Sequence, residues 1–285
     1  MKENILVIGS TGFIGSFLRR ELQADGASAS GSSDSTVLDI TDSDSLRRIF
    51  EKGNYNTVIN CAGMTGVDAC ERDPLAAFRA NALSAGNLSE AAERYSFRLI
   101  HISTDYVFDG RKGNYSEADR PSPVNVYGQT KLYGEKMIDL NNSIILRVST
   151  PFGENVSGRK MTFIEFVLQK LMSGQPVDAA IDQITNPTFL PDILEFIKVA
   201  IDEDITGLYH LGVVESVSRY SFCMDVARAY GLDQDLVRPV SIDDLGMIAK
   251  RPKNTSFNLM RVKGIYKPHG LSEAIEKLRF STVHP

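Results

Sequence analysis

The sequence predicts an α/β fold built on a doubly wound parallel sheet. Short apolar runs alternate with helix-spaced apolar residues through the first half of the chain, and a glycine-rich turn joins the first run to the first helical pattern. The composition is that of an ordinary globular chain: 285 residues, 42% hydrophobic and 24% charged, with 22 Gly and 11 Pro. It lies far from disordered, collagenous and disulfide-scaffold classes, and the length suits one large domain or a domain with a smaller lobe.

The elements follow in order. Ile5-Leu6-Val7-Ile8 reads as a strand covered on both faces, because such a strand needs no polar alternation. From Ile14, the apolar residues Phe17, Leu18 and Leu22 fall at helix spacing. Val37-Leu38 is expected as the next strand, followed by a helix over Leu46, Ile49 and Phe50 capped by Asp42 or Ser43. Val58-Ile59 is a third strand, and an Ala-rich helix runs from about Leu75 to Ala92. Leu99–Ile102 and Ile144–Leu146 complete the apolar strands of the first half. Repeated strand–helix units of this kind give parallel strands with right-handed crossovers. The second half shows helical patterns near Phe163–Leu171, Ile193–Ile201, Phe222–Tyr230 and Leu271–Leu278, with Gly207–Leu211 as a strand able to join the main sheet. No linker or repeat divides the chain, so a smaller α/β lobe is expected to be interleaved with the first. Residues 1–149 and 187–212 are assigned to the sheet domain, and residues 150–186 and 213–285 to the lobe.

Charge and cysteine content narrow the partners. The formal net charge is −5 and no run of Lys or Arg exceeds a pair, which disfavours nucleic acid and anionic membrane. Cys61, Cys70 and Cys223 have no metal-ligand spacing, and the odd count suits reduced thiols. No metal site is expected. No stretch approaches 18 apolar residues and no secretory segment is evident, so a soluble protein of the cytoplasm is the expectation.

Gly9-Ser10-Thr11-Gly12-Phe13-Ile14-Gly15 sits between the first strand and the first helix. This spacing lets a pyrophosphate approach the helix N-terminus, where free N–H groups and the helix dipole stabilise an anion. A tight turn that binds nothing is the alternative, and the position in an N-terminal strand–helix unit favours dinucleotide binding. Asp34 lies near where an acid binds a ribose, whereas Ser32 and Ser33 suit a 2′-phosphate. NADP(H) is favoured slightly over NAD(H), and both stay open.

Tyr127 and Lys131 are four residues apart, on one face of a helix. A phenol with an ordinary pKa near 10 needs a cation beside its phenolate to act as an acid–base group at neutral pH, and Lys131 is placed to be that cation and to hold cofactor ribose. A surface pair would be the usual reading of this spacing alone. Ser103-Thr104-Asp105 shifts it, because it follows a strand at the sheet edge where ligands bind. Thr104 can hydrogen-bond a carbonyl oxygen beside Tyr127, or simply cap a turn.

Together these features resemble the extended short-chain dehydrogenases/reductases and, more narrowly, the dTDP-4-dehydrorhamnose reductase family. The segments that carry the resemblance are Leu38–Asp42, Val58–Gly63, Val67–Glu71, Asn81-Ala82, Ser103–Gly110, Pro123–Lys131, Asp182-Gln183, Asn186–Thr188 and Arg251–Thr255. The resemblance implies a Rossmann-type domain and reduction of a nucleotide-linked 4-keto-6-deoxysugar, with Thr104, Tyr127 and Lys131 catalytic. It implies cofactor contacts from Gly9, Thr11, Gly12, Phe13, Ile14, Gly15, Asp39, Ile40, Cys61, Ala62 and Gly63, besides Tyr127 and Lys131. It implies substrate contacts from Thr104, Asp105, Tyr106, Tyr127, Arg251 and Asn254, with a possible homodimer. A surface ion pair is the plainer reading of Arg251, packing that of Cys61, and core histidines that of His101 and His210. Where the family carries an aromatic lining the sugar pocket this chain has Thr150, and it has no Trp at all, which leaves the sugar open. Two other functions fit parts of the pattern. A regulatory protein like the methionine adenosyltransferase β subunit would bind a dinucleotide without turnover. A sugar-nucleotide epimerase or dehydratase ranks last, because Tyr106 stands where a dehydratase carries its second acid.

Overall fold

The computed structural model describes residues 4–32 and 38–283. Its strands are β1 (Asn4–Ile8), β2 (Ser28–Ser32), β3 (Thr57–Asn60), β4 (Arg98–Thr104), β5 (Ser143–Val148), β6 (Val177–Ala180), β7 (Ile184–Thr185), β8 (Gly207–Leu211), β9 (Val217–Ser218) and β10 (Val237–Val240). Its helices are α1 (Phe13–Ala24), α2 (Ser43–Phe50), α3 (Val67–Arg72), α4 (Pro74–Phe78), α5 (Ser84–Tyr95), α6 (Val126–Lys136), α7 (Phe163–Met172), α8 (Leu190–Asp202), α9 (Arg219–Ala229), α10 (Met260–Lys263) and α11 (Leu271–Val283). Six strands form one sheet in the order β2-β1-β3-β4-β5-β8, every pair parallel. The doubly wound fold read from the sequence is therefore present, with Gly207–Leu211 as its outer strand.

The alternation of side chains along a strand explains how two faces are covered. Ile5 and Val7 point into a core shared with Phe17, Leu18 and Leu22 of α1 and Ile193, Phe196 and Ile197 of α8. Leu6 and Ile8 point the other way, against Leu46 and Phe50 of α2 and Ala85, Leu88 and Ala92 of α5. A second core gathers Phe152, Val167, Leu171, Phe222, Val226 and Ile275. It is flanked by the parallel pair β6–β10 and the antiparallel pair β7–β9. Phe257, Leu259 and Val262 return from the C-terminal part to pack in the sheet's own core. Among the described residues no helix is long and apolar enough to cross a membrane.

Two elements differ from expectation. The second strand among the described residues is Ser28–Ser32, ahead of the expected Val37-Leu38. Leu38 is buried outside any regular element, and Val37, Ser33 and Asp34 lie outside the described residues. A run of Ser, Ala and Gly has no apolar signal, and pairing with β1, from Asn4 opposite Ser28 to Ile8 opposite Ser32, makes it a strand. The expected long helix from about Leu75 to Ala92 is present as an unbroken run over α4 and α5, but with a π-helical turn at Arg79–Leu83 in its middle. Such turns insert one residue into a helix and often mark functional sites.

Candidate active site

The turn after β1 is shaped by close backbone packing. Gly9 has φ +77°, and a Cβ on it would lie 2.8 Å from the amide nitrogen of Ala62. A Cβ on Gly15 would sit 2.8 Å from the carbonyl carbon of Gly9. Larger residues would push α1 away from β1 and close the cradle at its N-terminus. Gly12 caps α1 with no side-chain hydrogen bond, and the first turn carries no acidic residue. Nearby, the buried hydroxyl of Ser10 has no protein partner. The residues thus fit a dinucleotide pyrophosphate. Thr11, Phe13 and Ile14 are partly buried beside the turn. Asp39 holds its own turn, accepting from the backbone N–H of Thr41 at 2.8 Å and from its hydroxyl at 2.7 Å. Ile40 is buried, and its carbonyl accepts from Asn87 at 3.1 Å. Cys61, Ala62 and Gly63 follow β3 directly, and burial pushes the Cys61 thiol up to about 12, which keeps it protonated.

Thr104 ends β4 and caps the short 3₁₀ turn Asp105–Val107, accepting from the Tyr106 N–H at 3.2 Å. The capping role is real, and it does not exclude the other one: the same side chain acts on the Tyr127 phenol, favouring its ionised form. Tyr127 enters on α6, whose start is fixed by Asn125. That side chain accepts from the Gly128 N–H at 2.8 Å and donates to the Lys250 carbonyl at 2.8 Å. The rings of Tyr106 and Tyr127 meet edge-on with centroids 5.7 Å apart. Burial raises the Tyr127 phenol well above its ordinary value, against a smaller lowering by Thr104.

Lys131 lies one turn further along α6 and is buried at 5% exposure. Its Nζ donates to the Ile102 carbonyl at 2.7 Å and lies 3.1 Å from His101 Nε2. Burial lowers its amine to about 8. The sequence suggests a cation held beside the phenol; the structure anchors the amine to β4, because the strand's carbonyl and imidazole both face α6. Asp105 likewise turns inward. Its carboxylate accepts from the hydroxyls of Thr255, of Ser149 at 2.9 Å and of Thr104 at 3.2 Å, so it braces the strand end. His101 and His210 are satisfied core residues, bonded respectively to Asn60 and Lys131 and to Arg147 and the Tyr115 carbonyl.

The two residues expected at the nucleotide end also have protein partners. Arg251 pairs with Asp68 at 2.8 Å and donates to the Ala249 carbonyl at 3.1 Å. Asn254 accepts from Ser256 through its side chain, and its backbone N–H donates to the Gly110 carbonyl at 2.9 Å. Thr150 has φ +42°, a conformation unusual for a β-branched residue. Hydrogen bonds between Ser149 and Thr188, and between Phe152 and Thr188, clamp it on both sides.

Sequence reasoning missed three residues. Asn81, in the π turn, is buried and bonds the backbone of Met64 twice and the Thr130 hydroxyl, tying α6 to the loop after β3. Gln183 donates to the Tyr106 hydroxyl at 3.0 Å and accepts from Arg219 Nε at 3.3 Å. Arg219 stacks over Phe163 at 4.8 Å, and among the described residues no carboxylate lies within ion-pair distance of it. Asn81 and Gln183 lie in segments that carry the family resemblance; nothing in the sequence around Arg219 signals its place.

A glycine-turn dinucleotide cradle and a Thr–Tyr–Lys cluster at the same edge of a parallel sheet define the class of nucleotide-dependent short-chain oxidoreductase folds. The family model described as the RmlD substrate binding domain matches residues 1–278, and the chain belongs to that family. A dTDP-4-dehydrorhamnose reductase from Mycolicibacterium smegmatis is 33% identical over 265 residues, covering 92% of this chain and 80% of the relative. Methionine adenosyltransferase 2 subunit beta from Rattus norvegicus is 29% identical over 273 residues, covering 91% and 81%. The crystal structure of a dTDP-4-dehydrorhamnose reductase from Bacillus anthracis in complex with NADP superimposes with a TM-score of 0.92 at 28% identity, covering 99% of this chain and 100% of that one.

Proposed function

We propose that this chain is a nicotinamide-dinucleotide-dependent reductase of a nucleotide-diphosphate 4-keto-6-deoxysugar, of the dTDP-4-dehydrorhamnose reductase type. NADP(H) is its cofactor in preference to NAD(H), and it works in the cytoplasm as a homodimer. Residues 1–149 with 187–212 hold the cofactor, and 150–186 with 213–285 hold the sugar nucleotide. The observation that carries the reading is the docking of α6, with Tyr127 and Lys131, on the end of β4 where Thr104 lies, at the same carboxyl edge of the sheet as the glycine turn after β1. The kinship to reductases, one of them an NADP complex, supports it.

The residues act as follows. Gly9, Gly12 and Gly15 would let backbone N–H groups meet the pyrophosphate of a dinucleotide, with Thr11, Phe13 and Ile14, while Asp39 and Ile40 would hold its adenine end and Cys61, Ala62 and Gly63 would complete the site. The bound dinucleotide supplies the hydride. Tyr127 is protonated across the neutral range because burial holds its phenol high, so it gives its proton only to a strongly basic oxygen, which is what a carbonyl becomes as it is reduced. Thr104 turns its hydroxyl from the long 3.2 Å bond to Asp105 toward the same oxygen. Lys131 grips the ribose and stabilises the phenolate left behind. Tyr106 lines the sugar, Arg251 and Asn254 border the nucleotide, and Arg219, with no carboxylate in ion-pair contact among the described residues, offers its guanidinium to a substrate anion.

The purified protein is expected to oxidise NADPH, faster than NADH, on addition of dTDP-4-dehydrorhamnose or a related 4-keto sugar nucleotide. Tyr127→Phe should lower kcat by about 10²–10⁴. Dinucleotide binding without turnover of any 4-keto sugar in the panel would sink the reading. That result would favour a regulatory role, which the likeness to the adenosyltransferase subunit supports and which recovery of an adenosyltransferase in a pull-down would establish.

A further inference from the structure

The hydrogen bonds beneath Lys131 fix the protonation of its neighbours. The backbone N–H of Ala62 donates to Asn60 Oδ1 at 3.1 Å. A backbone N–H is a donor without ambiguity, so this bond decides which way the Asn60 amide faces. Its Nδ2 is then the atom 3.0 Å from His101 Nδ1. The contact is direct because Asn60 and His101 are register partners on β3 and β4. Asn60 and His101 are both buried, at 0% and 1% exposure, and burial together with Lys131 keeps the imidazole neutral, well below its ordinary value. A neutral imidazole has one donor and one acceptor. With Nδ1 accepting from Asn60, the hydrogen is on Nε2, and Nε2–H points at Lys131 Nζ, 3.1 Å away. An ammonium has three donors and no lone pair, so it meets this N–H unfavourably. An uncharged amine accepts it and still donates to the Ile102 carbonyl at 2.7 Å.

We infer that Asn60 and His101 form a positioning relay that holds the Lys131 amine in a state able to lose its proton near neutral pH. The inference rests on the reductase reading only for its consequence, since the hydrogen-bond geometry belongs to the free protein. The other groups around the amine are few. Glu135, one turn along α6, and the Cys61 thiol both favour the charged form, while burial opposes it and prevails. Glu135 is itself neutralised by Arg147 and bonded by Ser103, which weakens its pull and leaves the imidazole as the nearest polar contact after Ile102. Lys131 is thus charged below about 8 and neutral above it. Without the Nε2–H donor the neutral form loses its partner, and the midpoint rises.

Two measurements test the relay without turnover. In ¹⁵N-histidine-labelled protein, His101 is expected as the Nε2–H tautomer; the Nδ1–H tautomer overturns the inference. In ¹³C-lysine-labelled protein, the Lys131 signal is assigned by its loss in Lys131→Met and then titrated. His101→Leu should raise its midpoint by about one pH unit, tenfold in the proton dissociation constant. His101→Gln, whose amide presents oxygen to Asn60 and N–H to Lys131, should keep the midpoint close to the parent value. An unchanged midpoint in folded His101→Leu overturns the relay. If His101→Leu does not fold, the tautomer and the His101→Gln midpoint decide. Failure of the reductase assay leaves these readouts unaffected, so the two ideas fail separately.

Discussion

Two guanidinium groups act on Tyr106, and they differ in what neutralises them. Both lower its phenol against the dominant effect of burial. Arg251 has Asp68 at 2.8 Å, whereas Arg219 is bound only through Nε to a neutral amide, Gln183. Burial lowers the Arg219 pKa, and the more distant charges of Tyr106 and Asp105 offset this only in part, since no carboxylate among the described residues is within ion-pair distance. A bound anion relieves the cost of that burial, so substrate affinity should depend more on Arg219 than on Arg251. Charge-assisted hydrogen bonds contribute about 1.5–3 kcal/mol. Arg219→Gln is therefore expected to raise KM for the sugar nucleotide by roughly tenfold or more with little change in kcat, because the lost contact binds ground state and transition state alike. Steady-state kinetics at saturating NADPH would decide it, and a fall in kcat with KM unchanged would contradict the role. This contact was not legible in the sequence. Positions 106, 183 and 219 belong to different elements, and only the antiparallel β7–β9 pairing, Ile184 opposite Ser218, brings two of them together.

At the scale of elements, α6 must be held rigidly on the sheet for Tyr127 and Lys131 to be useful. The bond between them is a buried ion pair. Arg147 on β5 meets Glu135 on α6 through Nε at 2.9 Å and Nη2 at 2.6 Å, and the side chains are 3% and 5% exposed. Ser103 on β4 donates to the same carboxylate. Breaking such a pair from one side leaves a buried charge, which costs about 3–5 kcal/mol, whereas replacing both members with apolar residues is often neutral. Arg147→Met should therefore destabilise the fold by about that amount in urea unfolding, and Arg147→Met/Glu135→Leu should recover most of it. Equal additive losses would show that the pair is not coupled. The sequence makes β4 and β5 readable by their apolar runs, and α6 through the four-residue spacing of Tyr127 and Lys131 rather than through an apolar face. It does not reveal the pair, since a charged residue in a strand gives no sign of its partner. The same limit explains the π turn at Arg79–Leu83: hydrophobic spacing reports a helix but not a one-residue slip in its hydrogen bonds.

At the scale of the molecule, the parallel sheet and its glycine turn were legible from apolar runs and spacing, while the second core showed only as separate helical patterns, because its residues are scattered from Phe152 to Leu278 and their meeting is set by tertiary packing. What joins the C-terminal part to the sheet side near the site is also charged. Asp68 on α3 accepts from the backbone N–H of Ala249 at 3.2 Å and pairs with Arg251. Burial raises the Asp68 carboxyl, but the N–H groups of Ala249 and Ile248 and the Arg251 charge outweigh it, and the net shift is downward. A carboxylate lowered on folding contributes stability that is fully present above its unfolded value, about 3.9, and is lost as pH falls through the lower folded value. The partly exposed pair limits the contribution to about 1 kcal/mol. Asp68→Asn should accordingly be less stable than the parent by about that amount at pH 7, with the gap closing as pH falls below about 4, since the parent then carries a protonated Asp68 as well. Denaturant midpoints taken from pH 7 to pH 3 measure the gap directly. A gap that stays constant across that range would mean the loss arises from packing, and that Asp68 does not tie the 248–251 loop to α3 by its charge.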